Sequence, residues 1–237
     1  MFEVKVIASG STGNCYRVSD GITTVLLDAG ISINRIREGC KFKLHEIAAC
    51  FVTHYHGDHS KAAKELIRYG IPVFMTEGER AEMKNVIGIK ALHKLDGQYL
   101  LESFGTLSIQ PFKVMHDTPE PVGFLIASSH TGEKLLYFTD TYYLPGRFGT
   151  FDYLIGEVNY NREMLYEHIE SHETGVYRAK RLFSSHMSLE NFLEFLKAND
   201  LSKLKKIWIC HMSDSHGDEK YIKESIQKET GVEIEVC

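Results

Sequence analysis

The sequence predicts an α/β fold in which two β-sheets pack face to face and helices cover their outer faces. Its strands come in two groups, each followed by helices, which is the order that such a layered arrangement requires. Residues of metal-ligand type appear repeatedly where apolar strands end. The chain has 237 residues, of which 43% are hydrophobic. This suits one well-buried domain over residues 1–237, or two small halves that share a core.

The first group of elements runs from the N-terminus to a charged surface helix. Alternating or continuous apolar residues, bounded by turn-forming Gly, Ser and Asp, predict its strands. These strands lie at residues 1–8, 15–18, 23–27, 47–52 and 71–75. Helices are predicted at residues 32–38, 61–69 and 77–86. Gly39 and Gly70 end the first two of them, because glycine adopts the left-handed conformation common after a helix.

The second group repeats this order of strands before helices. Strands are predicted at residues 107–114, 122–128, 134–138, 152–158 and 206–210. Helices are predicted at residues 161–182, with a break near Gly175, and at residues 188–198 and 218–230. Ser188 is the expected N-cap of its helix, because a serine side chain can accept a hydrogen bond from a backbone N–H of the first turn.

A cluster of histidines and one aspartate follows directly after an apolar strand. His54 and His56 are two residues apart, so in an extended backbone their imidazoles project to the same side. Gly57 allows a sharp turn before Asp58 and His59. Imidazole and carboxylate ligands without thiolate suit zinc, manganese or iron. The alternative is a polar loop that is rich in histidine by chance, but the fixed offsets at a strand-to-helix junction argue against it.

This cluster cannot complete the coordination of two metal ions, so further ligands must come from elsewhere in the chain. His116, Asp140 and His211 are the candidates, because each follows an apolar strand. A carboxylate has two oxygens, so Asp140 could bridge two ions. His116 or His211 taken singly is as well explained as an ordinary hydrogen-bonded polar residue. The position of all three residues at strand ends favours a site for two ions.

The motif His54-x-His56-x-Asp58-His59, followed by His116, Asp140 and His211, resembles the metallo-β-lactamase superfamily. The resemblance implies a four-layer αββα sandwich, with two mixed β-sheets flanked by helices. The ligands that it implies are His54, His56 and His116 for one ion, Asp58, His59 and His211 for the other, and Asp140 as a bridge. Asp28 matches an aspartate that supports the histidines without binding metal. The alternative for Asp28 is a simple turn residue.

Shorter motifs are similar to those of a nuclease-like branch of that superfamily, the YycJ/WalJ-type proteins. They lie at residues 10–15, 116–124, 157–159 and 185–188. In phosphodiesterase branches a histidine in the region of His186 contacts the scissile phosphate or assists the leaving group, which implies a catalytic role beside Asp58 and Asp140. The alternative is an ordinary histidine before a capped helix. The remaining histidines are predicted to lie at the surface: His45, His93, His130, His168, His172 and His216.

The resemblance implies a metal-dependent hydrolase of phosphodiester bonds, most specifically an exonuclease-like nuclease that acts on DNA or RNA. His56 stands where the redox branch of the superfamily has glutamate, which favours hydrolysis over oxygen chemistry. Two alternatives remain open: a hydrolase of a small thioester, cyclic nucleotide or phosphonate ester, and a non-catalytic metal-binding regulatory module. The implied cofactors are two divalent ions, Zn²⁺ or Mn²⁺, with Fe as a further option.

Composition limits the partners. The five cysteines are scattered without a C-x-x-C pair, which argues against a disulfide framework and against a thiolate zinc site. The net charge of -5 means that a nucleic-acid substrate would need a local basic groove. No apolar run is long enough to cross a bilayer, and the N-terminus does not resemble a signal peptide. We therefore expect a cytoplasmic protein without a membrane partner, whose oligomeric state is open, with a homodimer as one option.

Overall fold

The structure is a computed structural model that describes residues 1–171, 176–213 and 217–237. The predicted helix break near Gly175 and the histidines His172 and His216 lie outside these ranges. The chain divides into two compact units. The first unit comprises Met1–Lys113 with Thr118–Glu133, and the second comprises Val114–Asp117 with Lys134–Cys237. The single domain over residues 1–237 stays a prediction.

The first unit contains a six-stranded mixed sheet whose strands follow chain order. They are β1 (Glu3–Ala8), β2 (Cys15–Ser19), β3 (Thr24–Leu27), β4 (Ile47–Phe51), β5 (Val73–Met75) and β6 (Lys90–Ala91). Neighbours from β1 to β3 are antiparallel, and neighbours from β3 to β6 are parallel. Because β3, β4 and β5 are parallel, the residues that follow these strands lie at one edge of the sheet.

Helices of the first unit connect the parallel strands. They are α1 (Ile33–Gly39), α2 (Gly57–Ser60), α3 (Ala63–Arg68) and α4 (Glu77–Glu82), with a 3₁₀ turn at Leu44–Glu46. Ser32 and Thr76 cap α1 and α4, since each side chain accepts a hydrogen bond from the backbone N–H three residues later. Leu66 of α3 packs with Leu26 and Cys50 in a fully buried apolar cluster. This packing holds α3 near the end of β4.

Five further strands complete the first unit. They are β7 (Lys94–Leu95), β8 (Gln98–Tyr99), β9 (Glu102–Phe104), β10 (Leu107–Lys113) and β11 (Val122–Ser128). β7 and β8 form an antiparallel pair, and β10 pairs antiparallel with both β9 and β11. The N–H of Val122 donates to the carbonyl of Thr53 at 3.2 Å, so β11 begins beside the chain that leaves β4.

The second unit is built on four parallel strands in the order β12, β13, β14, β15. Their bounds are β12 (Lys134–Phe138), β13 (Tyr153–Glu157), β14 (Lys206–Cys210) and β15 (Glu233–Val236). All residues of β13 and most of β12 and β14 are buried, as expected of parallel strands that are covered on both faces. The residues that follow β12 and β14 and the last residue of β13 therefore lie at one edge.

The helices of the second unit are α5 (Arg162–Glu170), α6 (Val176–Ser185), α7 (Leu189–Ala198) and α8 (Glu219–Thr230). Asn161, Ser188 and Asp218 cap α5, α7 and α8 with their side chains. The predicted cap at Ser188 is therefore confirmed. Among the described residues, no helix combines the length and the apolar character that a membrane span needs.

Two parts of the chain differ from the prediction. The helix predicted over residues 77–86 ends at Glu82, and it is not purely a surface helix, because Glu79 is fully buried. Strands β6 to β9 and β15 were not predicted. β6 to β9 have two or three residues each, which is too few for a periodic pattern to be recognised.

Candidate metal centre

Asp28 follows β3 in a strained backbone conformation. Its φ is +58°, in the left-handed region that residues other than glycine rarely occupy. The buried carboxylate accepts hydrogen bonds from the N–H of Thr53 at 2.8 Å and from its hydroxyl at 3.0 Å. Asp28 thereby joins the end of β3 to the chain that leaves β4.

The second oxygen of Asp28 holds His59. The Oδ2 atom of Asp28 lies 2.8 Å from Nδ1 of His59, and both side chains are fully buried. An ionised carboxylate only accepts, so Nδ1 donates and the lone pair of this imidazole is on Nε2. The amide nitrogen of Asn14 lies 3.2 Å from that Nε2. Asp28 therefore fixes the tautomer in which Nε2 can bind a metal ion.

His54 and His56 bring two nitrogen atoms close together. The Thr53 hydroxyl, which donates to Asp28, lies 3.0 Å from Nδ1 of His54 and accepts from it. Nε2 of His54 is 3.1 Å from Nδ1 of His56. Two nitrogen ligands of one tetrahedral zinc ion are about 3.3 Å apart. The spacing of His54 and His56 thus matches a pair of ligands on a single ion.

The backbone around Asp58 is packed tightly against the loop after β3. The Asn14 N–H donates to the Asp58 carbonyl at 2.8 Å, and the Ala29 N–H donates to the His59 carbonyl at 2.7 Å. A Cβ atom at Gly30 would overlap the Asp58 carbonyl, so only glycine permits this approach. The side chain of Asp58 remains partly exposed, with Oδ2 at 3.5 Å from Nε2 of His59.

We expect Gly30→Ala to destabilise the protein by about 3 kcal/mol or more, because the new methyl group forces the backbone at Asp58 to move. Urea denaturation of the metal-free protein measures the free energy of unfolding. Gly57→Ala is the matched control, since nothing lies within 4 Å of a Cβ at that position, and it should change stability by about 1 kcal/mol or less. Equal stability of Gly30→Ala and the wild type would contradict the close backbone approach.

Glu79 supports the loop that carries His54 and His56, a role that was not predicted from the sequence. It is fully buried, and its carboxylate accepts from the Tyr55 N–H at 2.9 Å and from the Glu120 N–H at 2.7 Å. Tyr55 lies between His54 and His56, so the hydrogen bond from its N–H to Glu79 fixes the backbone of the histidine cluster. The only sequence signal was an acidic residue in the first turn after the cap Thr76, which is common on helices.

The second unit places acidic and imidazole groups at the carboxyl ends of its parallel strands. Asp140 follows β12 with φ at +46°, and His211 follows β14 with φ at +53°. Glu157 is the last residue of β13, between those two strands. The ring nitrogen Nδ1 of His211 lies 3.1 Å from Oδ1 of Asp140 and 3.0 Å from Oε1 of Glu157. Left-handed backbone after two strands of one sheet is typical of functional sites.

Glu157 connects the groups of this cluster. Its Oε1 accepts from Nδ1 of His186 at 2.6 Å, and its Oε2 accepts from the Thr141 N–H at 3.1 Å. Complete burial would raise the pKa of this carboxyl, but the charge of His186 and the hydrogen bonds from both histidines outweigh burial and hold the pKa below its usual value. In the sequence, Glu157 begins the motif at residues 157–159, and no role was predicted for it.

The Glu157 carboxylate favours the charged form of the His186 imidazole. Its burial disfavours the charged imidazole, but the charge and the hydrogen bond of Glu157 outweigh burial and raise the pKa of His186 above its usual value. Its Nδ1 lies 3.9 Å from Oδ1 of Asp140, and 15% of the side chain is exposed. His186 is therefore a candidate proton donor beside Asp140, with some access to solvent.

His116 presents one ring nitrogen to the carboxylates. Its Nδ1 donates to the Ser185 carbonyl at 3.2 Å, which leaves Nε2 3.1 Å from Asp117 and 3.7 Å from Oδ2 of Asp140. Burial lowers the pKa of His116 and outweighs the opposing charges of Asp140 and Asp117. A neutral imidazole is the form that binds metal.

Each unit thus gathers the predicted residues that it contains. In the first unit the structure places the Asp28 side chain against the loop that carries His54, His56, Asp58 and His59. In the second unit it brings His116, Asp140, His186 and His211 together. Ligand atoms of Asp140, Glu157, His186 and His211 all lie within 4.8 Å of one another, so the donor set and its spacing fit a divalent cation. The assignment of each ligand to a particular ion stays a prediction.

Known proteins resemble this chain in sequence and in fold. It is 31% identical to Exodeoxyribonuclease YycJ of Bacillus anthracis, over 60% of this chain and 55% of that protein. It is 29% identical to Exodeoxyribonuclease WalJ of Streptococcus pneumoniae, over 90% of this chain and 82% of that protein. Its fold matches the metallo-β-lactamase fold protein YhfI of Bacillus subtilis with a TM-score of 0.74, at 14% identity, over 100% of this chain and 97% of that one.

The match to YhfI confirms the predicted fold class, and the curated relatives confirm the predicted resemblance to the YycJ/WalJ-type proteins. The family described as the beta-lactamase superfamily domain matches residues 23–212, which include every predicted metal ligand and Asp28. This chain belongs to the beta-lactamase superfamily domain family and has the metallo-β-lactamase fold.

Proposed function

We propose that this chain is a metal-dependent phosphodiesterase that degrades nucleic acid, most specifically an exonuclease acting on DNA. The observation that carries the proposal is the pair of His186 and Glu157 at 2.6 Å, next to Asp140. Cleavage of a phosphodiester releases an alkoxide of high pKa, so a held proton donor at the leaving oxygen accelerates it. The curated relatives, both named as exodeoxyribonucleases, support DNA as the substrate.

The proposed site uses two divalent ions, Zn²⁺ or Mn²⁺, with Fe as the alternative. The proposed ligands are His54, His56 and His116 for one ion, Asp58, His59 and His211 for the other, and Asp140 for both. When bound, such ions lower the pKa of water and stabilise charge on the phosphoryl oxygens. Support comes from the His54–His56 spacing of 3.1 Å and from the lone pair that Asp28 directs to Nε2 of His59.

The proposed roles of the protein side chains are to orient the attacking water and to protonate the leaving oxygen. Asp58 and Asp140 would accept hydrogen bonds from the attacking water and orient it. The charged His186 would donate the proton on Nε2 to the leaving oxygen, and the neutral imidazole that remains would keep its hydrogen bond from Nδ1 to Glu157. The net charge of -5 does not attract a polyanion, so exposed cations near the site would have to contact the backbone phosphates. A nucleic-acid substrate also supports a cytoplasmic location for the protein.

The test is hydrolysis by the purified protein with Mn²⁺ or Zn²⁺. Single-stranded DNA, duplex DNA and RNA, each labelled at one end, would be compared with a thioester and with bis-p-nitrophenyl phosphate. We expect stepwise shortening of DNA from one end and two metal ions per active chain. Asp140→Ala should abolish cleavage, whereas His130→Ala, which changes an exposed histidine, should not.

Three results would overturn parts of this proposal. Hydrolysis of the thioester with intact nucleic acid would favour the small-ester alternative. Metal binding without turnover of any substrate would favour a regulatory module. One metal ion per fully active chain would exclude the two-ion assignment, although not the nuclease activity.

A further inference from the structure

The segment after Asp140 is fixed by hydrogen bonds on both sides. The Thr141 N–H donates to Glu157 at 3.1 Å, and the Thr141 hydroxyl accepts from the Met115 N–H at 2.9 Å. The same hydroxyl donates to the Tyr143 carbonyl at 2.8 Å. Thr141 is itself fully buried. The backbone that carries the next two residues is therefore held by groups beside His116, Asp140 and Glu157.

Tyr142 has further backbone contacts. Its N–H donates to the Met115 carbonyl at 3.3 Å, and its carbonyl accepts from the side-chain amide of Asn191 at 2.7 Å. The side-chain carbonyl of Asn191 in turn accepts from Arg162 at 2.5 Å. A guanidinium group is thus joined to the backbone of Tyr142 through one intervening side chain.

The two tyrosines of this segment are exposed. Tyr142 is 37% exposed and Tyr143 is 48% exposed. A single exposed aromatic residue needs no explanation. Here two adjacent tyrosines lie on a backbone that hydrogen bonds fix, two and three residues after Asp140, the proposed ligand of both metal ions. Tyrosine offers a large flat surface with little loss of side-chain entropy, which makes it suited to recognition.

We propose that Tyr142 and Tyr143 stack on nucleobases next to the scissile phosphate, so that the substrate strand is unpaired there. This inference rests on the proposed nuclease function and adds the form of the substrate. Two residues of chain span at most about 7 Å. The backbone of Tyr142 therefore lies within about one nucleotide of a phosphate bound at Asp140. Stacking on a protein ring requires a base that has left its own stack, as in single strands and frayed ends.

The test compares Tyr142→Ala and Tyr143→Ala with the wild type on single-stranded DNA in Mn²⁺. Loss of one stacking contact should raise KM by about 5- to 150-fold, with a smaller change in kcat. Tyr143→Phe should retain the KM of the wild type, because stacking uses the ring and not the hydroxyl. Tyr221→Ala, which changes a tyrosine on α8 that is 49% exposed, should also leave KM unchanged.

A strand that lacks bases near the cleaved end separates stacking from a structural role. The wild type should bind this abasic strand weakly, and the two alanine variants should change its KM by about twofold or less. A similar rise in KM on both strands would show that the tyrosines maintain the site and would overturn the inference. Faster cleavage of a blunt, fully paired duplex than of a duplex with mismatched, frayed ends would also overturn it.

Three further outcomes distinguish this inference from the proposed function. If the wild type cleaves single-stranded DNA and both alanine variants retain its KM, the stacking role is wrong and the nuclease function stands. If the variants retain KM but alter the sedimentation of the protein, the tyrosines form a contact between copies of the chain. If the wild type cleaves no nucleic acid, the proposed function itself fails.

Discussion

His186→Ala should lower kcat for DNA by about 10²- to 10⁴-fold, because the variant lacks the proton donor for the leaving oxygen. The same variant should lose much less activity on bis-p-nitrophenyl phosphate, since nitrophenolate leaves without protonation. The contrast between the two substrates is the measurement that identifies a general acid. A residue that only maintains the fold would lower both activities equally.

The metal content of His186→Ala decides between two roles for this residue. His186 belongs to a group of residues whose ligand atoms could surround an ion, together with Asp140, Glu157 and His211. If it acts as an acid, the variant should bind two ions like the wild type. Loss of one ion, together with equal loss of activity on both substrates, would show that His186 is a ligand. His45→Ala, which changes an exposed histidine, is the control.

The location of the site residues at strand ends was predictable from the sequence, because strands are recognised from local runs of apolar residues. The apolar runs before Asp28, Asp140 and His211 predict strands, and polar residues after such runs are conspicuous. Their left-handed backbone was not predictable, since φ values of +46° to +58° at these residues reflect the surrounding structure and not residue preference. Aspartate tolerates this region better than most residues, but that is a weak signal.

The supporting carboxylates were harder to identify than the histidines. Glu157 and His186 are 29 residues apart in sequence, and only the tertiary structure brings their side chains together. Glu79 lies among several charged residues in a segment that reads as a surface helix. A glutamate inside or after a strand of otherwise buried residues is the one signal that could have identified Glu157, because burial of an unpaired charge is costly.

Glu157→Gln should reduce both stability and activity, because the carboxylate is the common partner of two histidines. It is fully buried and accepts hydrogen bonds from His186 at 2.6 Å and from His211 at 3.0 Å. The amide keeps one acceptor oxygen and replaces the other by a donor, and it carries no charge. Loss of a hydrogen bond to a charged group costs about 1.5–3 kcal/mol, so the melting temperature should fall.

Activity should fall by about 10- to 100-fold, which is the usual effect of removing a group that orients metal ligands. Glu157→Gln and His186→Ala should not be additive, because the glutamate acts partly through that imidazole. The double variant should therefore lose little more kcat on DNA than His186→Ala alone. Additive losses would show that Glu157 acts through His211 or through the metal ions and not through His186.

Asp20→Asn is the control for burying an amide in place of a carboxylate. Asp20 is 2% exposed and accepts from the hydroxyls of Thr106 and Ser128, both at 2.6 Å. Its substitution should also reduce stability, because those hydrogen bonds hold its pKa below the usual value despite burial. It contacts none of the proposed ligands through these bonds, so kcat at a temperature below unfolding should be unchanged. If both variants lose activity in proportion to their loss of stability, Glu157 supports the fold and not the reaction. If only Glu157→Gln loses kcat, Glu157 belongs to the catalytic machinery.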